Sequence, residues 1–175
     1  MIDIEKIRRD TPSCEAVLHF NNAGSSLMPK PVFQALQGVL RDENEVGGYE
    51  AERRASDDIA AFYTEFAALL SCAPHEIAYV ENATRAWDMA FYGLKLEKGD
   101  RVITHGSEYS SNYLALLQQS RRLGFEIDLV PSDASGQIDV DALDQLIVPD
   151  TKLIAITHVP TQGGLVNPAA KVGKI

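Results

Sequence analysis

Apolar residues in the N-terminal part of the chain recur at helical spacing. Residues 52–70 contain neither Gly nor Pro, and their apolar side chains fall on one face of a helix. A second stretch of helical spacing follows Pro29 and Pro31 and ends at the glycine pair 47–48. The pattern therefore predicts an N-terminal arm followed by helices over residues 1–75.

The spacing of apolar residues changes in the C-terminal part, where short apolar runs alternate with helical stretches. The runs predict strands at residues 77–80, 101–104, 126–130 and 152–157. The stretches between them predict helices at about residues 84–94, 111–123 and 141–147. Strands that alternate with helices are typical of a parallel sheet with helices on both faces. We therefore predict a three-layer α/β/α domain over residues 76–175.

Three loops that follow predicted strands are candidates for a ligand site, since ligands of such sheets bind at the carboxyl ends of the strands. Thr84 lies at a helix start, where its hydroxyl and nearby N–H groups suit an anion such as phosphate. Plain N-capping explains the same residues. Tyr109, in the second loop, offers a ring that can stack on a planar cofactor or simply be half-buried. The third loop, residues 158–168, brings glycines and donors to this edge, as a long turn also would.

The net charge of -9, from 25 acidic and 16 basic residues, disfavours nucleic acid and anionic lipid as partners. No apolar run is long enough to span a bilayer, and the N-terminus lacks the apolar stretch of a secretory signal. We therefore expect a cytoplasmic protein. Cys14 and Cys72 are expected to be reduced thiols, and the four histidines lack the spacing of metal ligands, so no metal is predicted.

The order and spacing of four motifs resemble the class V aminotransferase and cysteine desulfurase family. The motifs are FNNAGSS, VENAT, GDRVITHGSEYSSN and ITHVPTQGGLVNP, and they cover most of residues 18–168. The resemblance implies the large domain of a fold-type-I enzyme with pyridoxal 5'-phosphate (PLP) as its cofactor. It also implies an amino-acid substrate and a homodimer for the complete enzyme.

The resemblance assigns the cofactor-binding residues one by one. Ala83 and Thr84 are implied to hold the phosphate of PLP, and Tyr109 to stack on its ring. Desulfurases usually carry His where this chain has Tyr109, and Tyr cannot replace that His as an acid and base. Thr161 is implied to lie beside the 3-hydroxyl of the cofactor, where desulfurases carry Asn. These two differences favour the branch of isopenicillin epimerase-like and sulfoxide-lyase-like members.

The turn that contains Asn22 and Ala23 corresponds to a segment that walls the substrate side in family members. An ordinary Asn-rich turn explains these residues equally well. They are therefore predicted substrate-binding residues with a structural alternative.

The lysine and aspartate that PLP chemistry requires come later in the family, the lysine in a Ser-x-His-Lys-like stretch. None of the seven lysines of this chain has that context before the sequence ends at Ile175. We therefore expect an N-terminal portion of an enzyme, without catalytic residues of its own. Its parent reaction would be transamination, epimerisation or C–S or C–N lysis.

Two other functions stay open. The chain can be a non-catalytic module that retains the fold and binds a phosphate or a PLP-like ligand for regulation. It can also be a nucleotide-binding α/β domain, although no G-x-G-x-x-G follows the first predicted strand and no G-x-x-x-x-G-K-[ST] occurs.

Overall fold

A computed structural model of the chain describes residues 2–22, 25–161 and 164–175. The chain divides into two compact units, Met1–Tyr79 and Val80–Ile175. Within the described residues, no helix combines the length and the apolar character that are needed to cross a bilayer.

The N-terminal unit is helical throughout its regular structure. Its helices are α1 (Ile4–Asp10), α2 (Ser13–Ala16), α3 (Lys30–Val46), α4 (Gly48–Arg54) and α5 (Ser56–Leu70), and a 3-10 turn follows at Pro74–Glu76. The first two helices lie in the segment that was predicted as the N-terminal arm. Asp3 explains the start of α1, because its side chain accepts a hydrogen bond from the N–H of Lys6 at 3.0 Å.

The ends of α3 agree with the prediction, whereas the next helix differs from it. Helix α3 begins directly after Pro29 and ends at Gly47, whose φ of 81° is readily adopted only by glycine. The single helix predicted over residues 52–70 is interrupted at Ala55, and its first segment begins earlier, at Gly48. The backbone ladder continues through the break, because the N–H of Ile59 donates to the carbonyl of Ala55 at 2.9 Å.

Helix α5 carries an aromatic cluster centred on Phe62. The ring of Phe62 contacts those of Tyr63, Phe66 and Tyr79 at centroid distances of 5.2, 4.7 and 5.5 Å. Edge-on and tilted ring pairs of this kind add to the stability that apolar burial supplies. The cluster thus attaches residue 79, at the end of the unit, to α5.

The C-terminal unit contains the parallel sheet. Its elements are α6 (Ala83–Tyr92), β1 (Arg101–His105), α7 (Ser110–Leu123), β2 (Glu126–Val130), α8 (Val140–Leu146), β3 (Thr151–Ile154) and α9 (Ala169–Val172). Among the described residues the sheet has three strands in the order β2-β1-β3, and both pairings are parallel. The predicted α/β class and parallel sheet are confirmed.

The two faces of β1 build two separate cores. Val102 packs with Leu116 of α7 and with Phe125 on one face. Its neighbour Ile103 packs on the other face with Leu143 of α8 and with residues of β2 and α9. Successive side chains of a strand point to opposite faces, so a central strand buried on both sides joins the two cores.

The strand predicted at residues 77–80 is not formed, and residues 17–20 also belong to no strand. A strand is stabilised by backbone hydrogen bonds to a neighbour, and no described residue pairs with either segment in a sheet. The apolar run at residues 77–80 is therefore insufficient by itself to make a strand.

Candidate functional site

A cavity of about 350 Å³ lies at the carboxyl end of the sheet. Two segments wall it: residues 106–110, which run from the end of β1 to the first residue of α7, and residues that follow β3. The lining residues are Gly106, Ser107, Glu108, Tyr109, Ser110, Thr157, Pro160 and Thr161. Two of the predicted site residues, Tyr109 and Thr161, are thus brought to one cavity, and the side chain of Tyr109 remains 47% exposed.

Glu108 connects the two walls of this cavity. Its Oε1 accepts a hydrogen bond from the Thr157 hydroxyl at 2.6 Å and one from the Asn112 side chain at 3.0 Å. The same oxygen accepts the backbone N–H of Tyr109 at 2.8 Å, and that N–H also lies 3.3 Å from Thr157 Oγ1. The backbone at Tyr109 is therefore held by groups from both walls, while its ring stays open to a ligand.

Thr84 lies in a neighbouring groove, which separates α6 from α7 and has a volume of about 730 Å³. Its hydroxyl is 3.4 Å from that of Ser111, in the first turn of α7. The N-cap role falls to Asn82, whose side chain accepts the N–H of Arg85 at 2.9 Å. The hydroxyl of Thr84 is therefore not used for capping, and by helix geometry the N–H groups of Ala83 and Thr84 have no acceptor inside α6.

The predicted substrate-side residues belong to the other unit. Asn22 is exposed in a turn of the N-terminal unit, and Ala23 lies outside the described residues. Their predicted role stays a prediction.

His105, at the end of β1, is 3% exposed and hydrogen-bonded at both ring nitrogens. Nδ1 accepts the backbone N–H of Ser107 at 3.3 Å and lies 2.6 Å from the Ser107 hydroxyl. Nδ1 is therefore unprotonated, and Nε2 donates to Ser132 Oγ at 2.9 Å. Burial lowers the pKa of His105 below 6.5, against the opposite influence of Asp133 and Glu108.

Asn167 is a buried polar residue that the sequence did not single out. It is 1% exposed, and its side-chain amide donates to the Thr157 carbonyl at 2.7 Å and to Ser107 Oγ at 3.2 Å. The Asn-Pro dipeptide at residues 167–168 follows a glycine-containing loop, which predicts a turn. Nothing in that local pattern indicates that the side chain of Asn167 is buried. The role of Asn167 depends on contacts 10 and 60 residues away in sequence.

No lysine is among the described residues that line the cavity. Within the described ranges, no group of three or more His, Cys, Asp or Glu side chains is placed to hold a metal ion. The cavity can thus bind and orient a ligand through its ring, hydroxyls and carboxylate.

The fold and the site define an α/β domain with a ligand cavity at the carboxyl edge of a parallel sheet. A family model described as aminotransferase class-V matches residues 18–175. The chain belongs to the class V aminotransferase family.

The curated relatives that match the chain include proteins named as cysteine desulfurases. A probable cysteine desulfurase from Methanothermobacter thermautotrophicus is 26% identical over 174 residues, which is 98% of this chain and 43% of the relative. The chain spans less than half the length of the curated relatives it matches.

Solved structures share the fold. A variant of C-DES with glycine covalently linked to its PLP cofactor matches with a TM-score of 0.85 and 21% identity, over 95% of this chain and 44% of that one. SspA in complex with cysteine matches with a TM-score of 0.73 and 27% identity, over 89% of this chain and 46% of that one. Both similarities extend over nearly all of this chain and under half of the solved protein.

Proposed function

We propose that this chain supplies the ring-facing and phosphate-facing parts of a PLP site in an enzyme that cleaves a C–S bond of an amino acid. The observation that carries the proposal is that the Tyr109 cavity and the Thr84 groove lie next to each other at the start of α7. Tyr109 and Ser110 line the cavity there, and Ser111 meets Thr84 in the adjacent groove.

The residues at this edge fit the chemistry of PLP. An exposed tyrosine ring suits a flat pyridine ring, and two hydroxyls near helix N-termini suit a phosphate. The chemistry that PLP supplies when bound is an electron-withdrawing ring next to the substrate carbon that reacts. Tyr109 would stack on that ring, Ala83 and Thr84 would hold the phosphate, and Thr161 would lie beside the 3-hydroxyl.

The contribution of this chain is orientation. Because Glu108 and Thr157 hold the backbone of Tyr109 from two sides, the ring can be presented at a constant position. Among the described residues that line this cavity there is no lysine, and Glu108 supplies the carboxylate. The activity proposed here is therefore that of a longer assembly to which this chain contributes one side.

C–S cleavage is supported by the names of the relatives, which are cysteine desulfurases, and by the cysteine bound to SspA. Tyr109 favours a second candidate, epimerisation or transamination, because a phenol cannot take over the acid and base role of a histidine at neutral pH. A turnover assay on the PLP-loaded protein in its complete assembly separates the two: sulfide release from cysteine supports the first, and racemised alanine or a keto acid formed from alanine supports the second.

The remaining parts of the proposal concern location and assembly. An amino acid is the proposed substrate, a homodimer the proposed assembly and the cytoplasm the proposed location. Residues 76–175 are proposed as the part of the PLP-binding domain that this chain contains, preceded by the arm and helices of residues 1–75.

Substitution of Thr84 and Tyr109 tests the position of the site. In the complete enzyme, Thr84→Ala should weaken PLP binding by about 1–3 kcal/mol, as is usual for a lost hydrogen bond to a charged group. Tyr109→Ala should weaken it by about 0.5–1.5 kcal/mol through lost stacking. Absorbance titration with PLP measures both effects.

The chain offers matched controls for these two variants in the N-terminal unit. Thr64→Ala and Tyr49→Ala remove the same groups from exposed positions, so PLP affinity should not change. Equal affinity for PLP in wild type, Thr84→Ala and Tyr109→Ala would show that the site lies elsewhere.

The lysines provide an independent test of the catalytic role. Borohydride reduction of the chain with PLP should fix the cofactor at no single lysine, because none lines the cavity. Peptide mapping detects the label. A single lysine labelled at high occupancy would mean that the chain carries its own reactive amine.

A further inference from the structure

We propose that Asn167 is a positioning residue that holds the two walls of the Tyr109 cavity together. The proposal rests on the function proposed above only in naming PLP as the ligand. Asn167 itself is not among the residues that line the cavity. It acts through Ser107 in one wall and Thr157 in the other.

The side chain of Asn167 uses both of its donor hydrogens and its acceptor. Nδ2 donates to the carbonyl of Thr157 at 2.7 Å and to Ser107 Oγ at 3.2 Å. Oδ1 accepts the backbone N–H of Ile138 at 3.1 Å. A buried amide with these partners has one preferred orientation, so it sets the distance between the segments it joins.

From Asn167 the hydrogen bonds continue in two directions. Through Ser107 they reach the ring of His105. Through Thr157 they reach Tyr109, because the Thr157 hydroxyl donates to Glu108 and lies 3.3 Å from the backbone nitrogen of Tyr109. A shift of Thr157 therefore changes the surroundings of the Tyr109 backbone.

The same network joins the carboxyl ends of all three strands. His105 ends β1 and bonds to Ser132, which lies two residues after β2. Ser132 pairs with Ile138 in an isolated antiparallel bridge, and the N–H of Ile138 donates to Asn167. Thr157 follows β3. The cavity is thus attached to the sheet by a closed set of contacts, in which the side chain of Asn167 hydrogen-bonds to Ser107, Ile138 and Thr157.

Asn167 could contribute to stability only by attaching its loop, without positioning the cavity walls. A neighbouring contact distinguishes loop attachment from wall positioning. Gln137 Nε2 donates to the carbonyl of Val166 at 2.7 Å, so it fastens the same segment of chain from its exposed side. Neither Gln137 nor Val166 is among the described residues that line the cavity. Gln137→Ala is therefore the matched control for a loss of loop attachment without a loss of wall positioning.

Hydrogen exchange of the wild-type chain and its variants provides a readout that needs no ligand. Asn167→Ala should speed amide exchange at Tyr109 and in the peptide around residue 157 by at least about tenfold, the factor that about 1.4 kcal/mol represents. Gln137→Ala should leave exchange at Tyr109 unchanged. Unchanged exchange at Tyr109 in Asn167→Ala, or equal acceleration by Gln137→Ala, would overturn the proposal.

Two further variants test the same contacts, and Ser107→Ala, which leaves the buried amide in place, keeps the test valid if the substitutions of Asn167 do not fold. Asn167→Asp retains the acceptor for Ile138 and removes both donors, so exchange should rise in both walls. Ser107→Ala removes the contact to one wall only, so exchange should rise around residue 107 and stay unchanged around residue 157. If Ser107→Ala sped amide exchange in both walls, the proposal that Asn167 positions the walls separately would be contradicted.

PLP titration of the same proteins separates this proposal from the proposed function. If wild type binds PLP, Asn167→Ala should bind it at least about tenfold more weakly, and Gln137→Ala should bind it as wild type does. Equal PLP affinity in all three proteins would overturn the positioning role. Faster exchange at Tyr109 in Asn167→Ala, together with no PLP binding by wild type in the complete assembly, would support the network and contradict the cofactor proposal.

Discussion

The two units of the chain bury their apolar side chains to very different extents. In the N-terminal unit the buried described residues are Thr11, Ala51 and Ala67. Large apolar side chains such as Leu40 and Leu69 are 66% and 76% exposed. The C-terminal unit instead encloses two apolar cores, one on each side of its sheet.

The difference shows that amphipathic spacing and burial are separate properties. Helix α3 has an apolar stripe over 17 residues, yet none of its residues is buried among the described part of the chain. In the sheet unit, β1 presents alternate side chains to two layers of helices, so each apolar position meets a facing surface. The apolar face of a helix stabilises the fold only when a second layer of structure buries it.

Truncation of one leucine in each unit should give the largest contrast. Leu116→Ala, at a fully buried position, should lower the free energy of unfolding by about 2–5 kcal/mol. Leu69→Ala, at a 76% exposed position, should change it by less than about 0.5 kcal/mol. Urea denaturation followed by circular dichroism measures both. Similar losses in the two variants would mean that the N-terminal helices are covered in solution.

The buried histidine of the sheet unit should make stability depend on pH. Because burial lowers the pKa of His105 in the folded chain, the unfolded chain takes up a proton first as pH falls. The free energy of unfolding should therefore fall as pH drops below about 6.5, by up to about 1.4 kcal/mol per pH unit, and level off below the folded pKa.

Two histidine variants check the source of that dependence by urea denaturation across pH. His105→Asn should remove this component of the pH profile. His75→Asn, at an exposed position in the N-terminal unit, should leave it in place. An unchanged profile in His105→Asn would assign the effect to other groups.

The aromatic cluster of α5 should make a smaller contribution within the helical unit. Phe62→Leu keeps an apolar side chain but removes three ring contacts, so it should cost about 0.5–1.5 kcal/mol. Near-ultraviolet circular dichroism and urea denaturation report on the rings and on stability. The same change at Phe33, which is 51% exposed, serves as the control and should have less effect.

The smallest effect is expected on the exposed face of α3. Leu40→Gln should change the free energy of unfolding by less than about 0.5 kcal/mol, because the side chain is 66% exposed. Thermal melts of both proteins compare them. A loss above 2 kcal/mol would show that this face is buried in solution and would remove the contrast between the units.

Features that depend on neighbouring residues could be predicted from the sequence, whereas features that depend on distant residues could not. The helix over Lys30–Val46 was predictable because Pro29, Pro31 and Gly47 are local signals. The segment at residues 77–80 was mispredicted as a strand because a strand also needs a neighbour, which local apolar content does not reveal. The loops that contain Tyr109 and Thr161 could be expected at one edge of the sheet because the carboxyl ends of parallel strands meet there, and both residues line one cavity.

The sequence by itself determined the α/β class, the parallel strands and the motifs that place the chain in its family, since these depend on periodicity and on short spacings. Only the tertiary structure decided that Thr84 meets Ser111, that Glu108 joins two loops and that Asn167 is buried between them. These contacts join residues 27 to 60 positions apart, and their partners are fixed by how the strands pair and the helices pack on them.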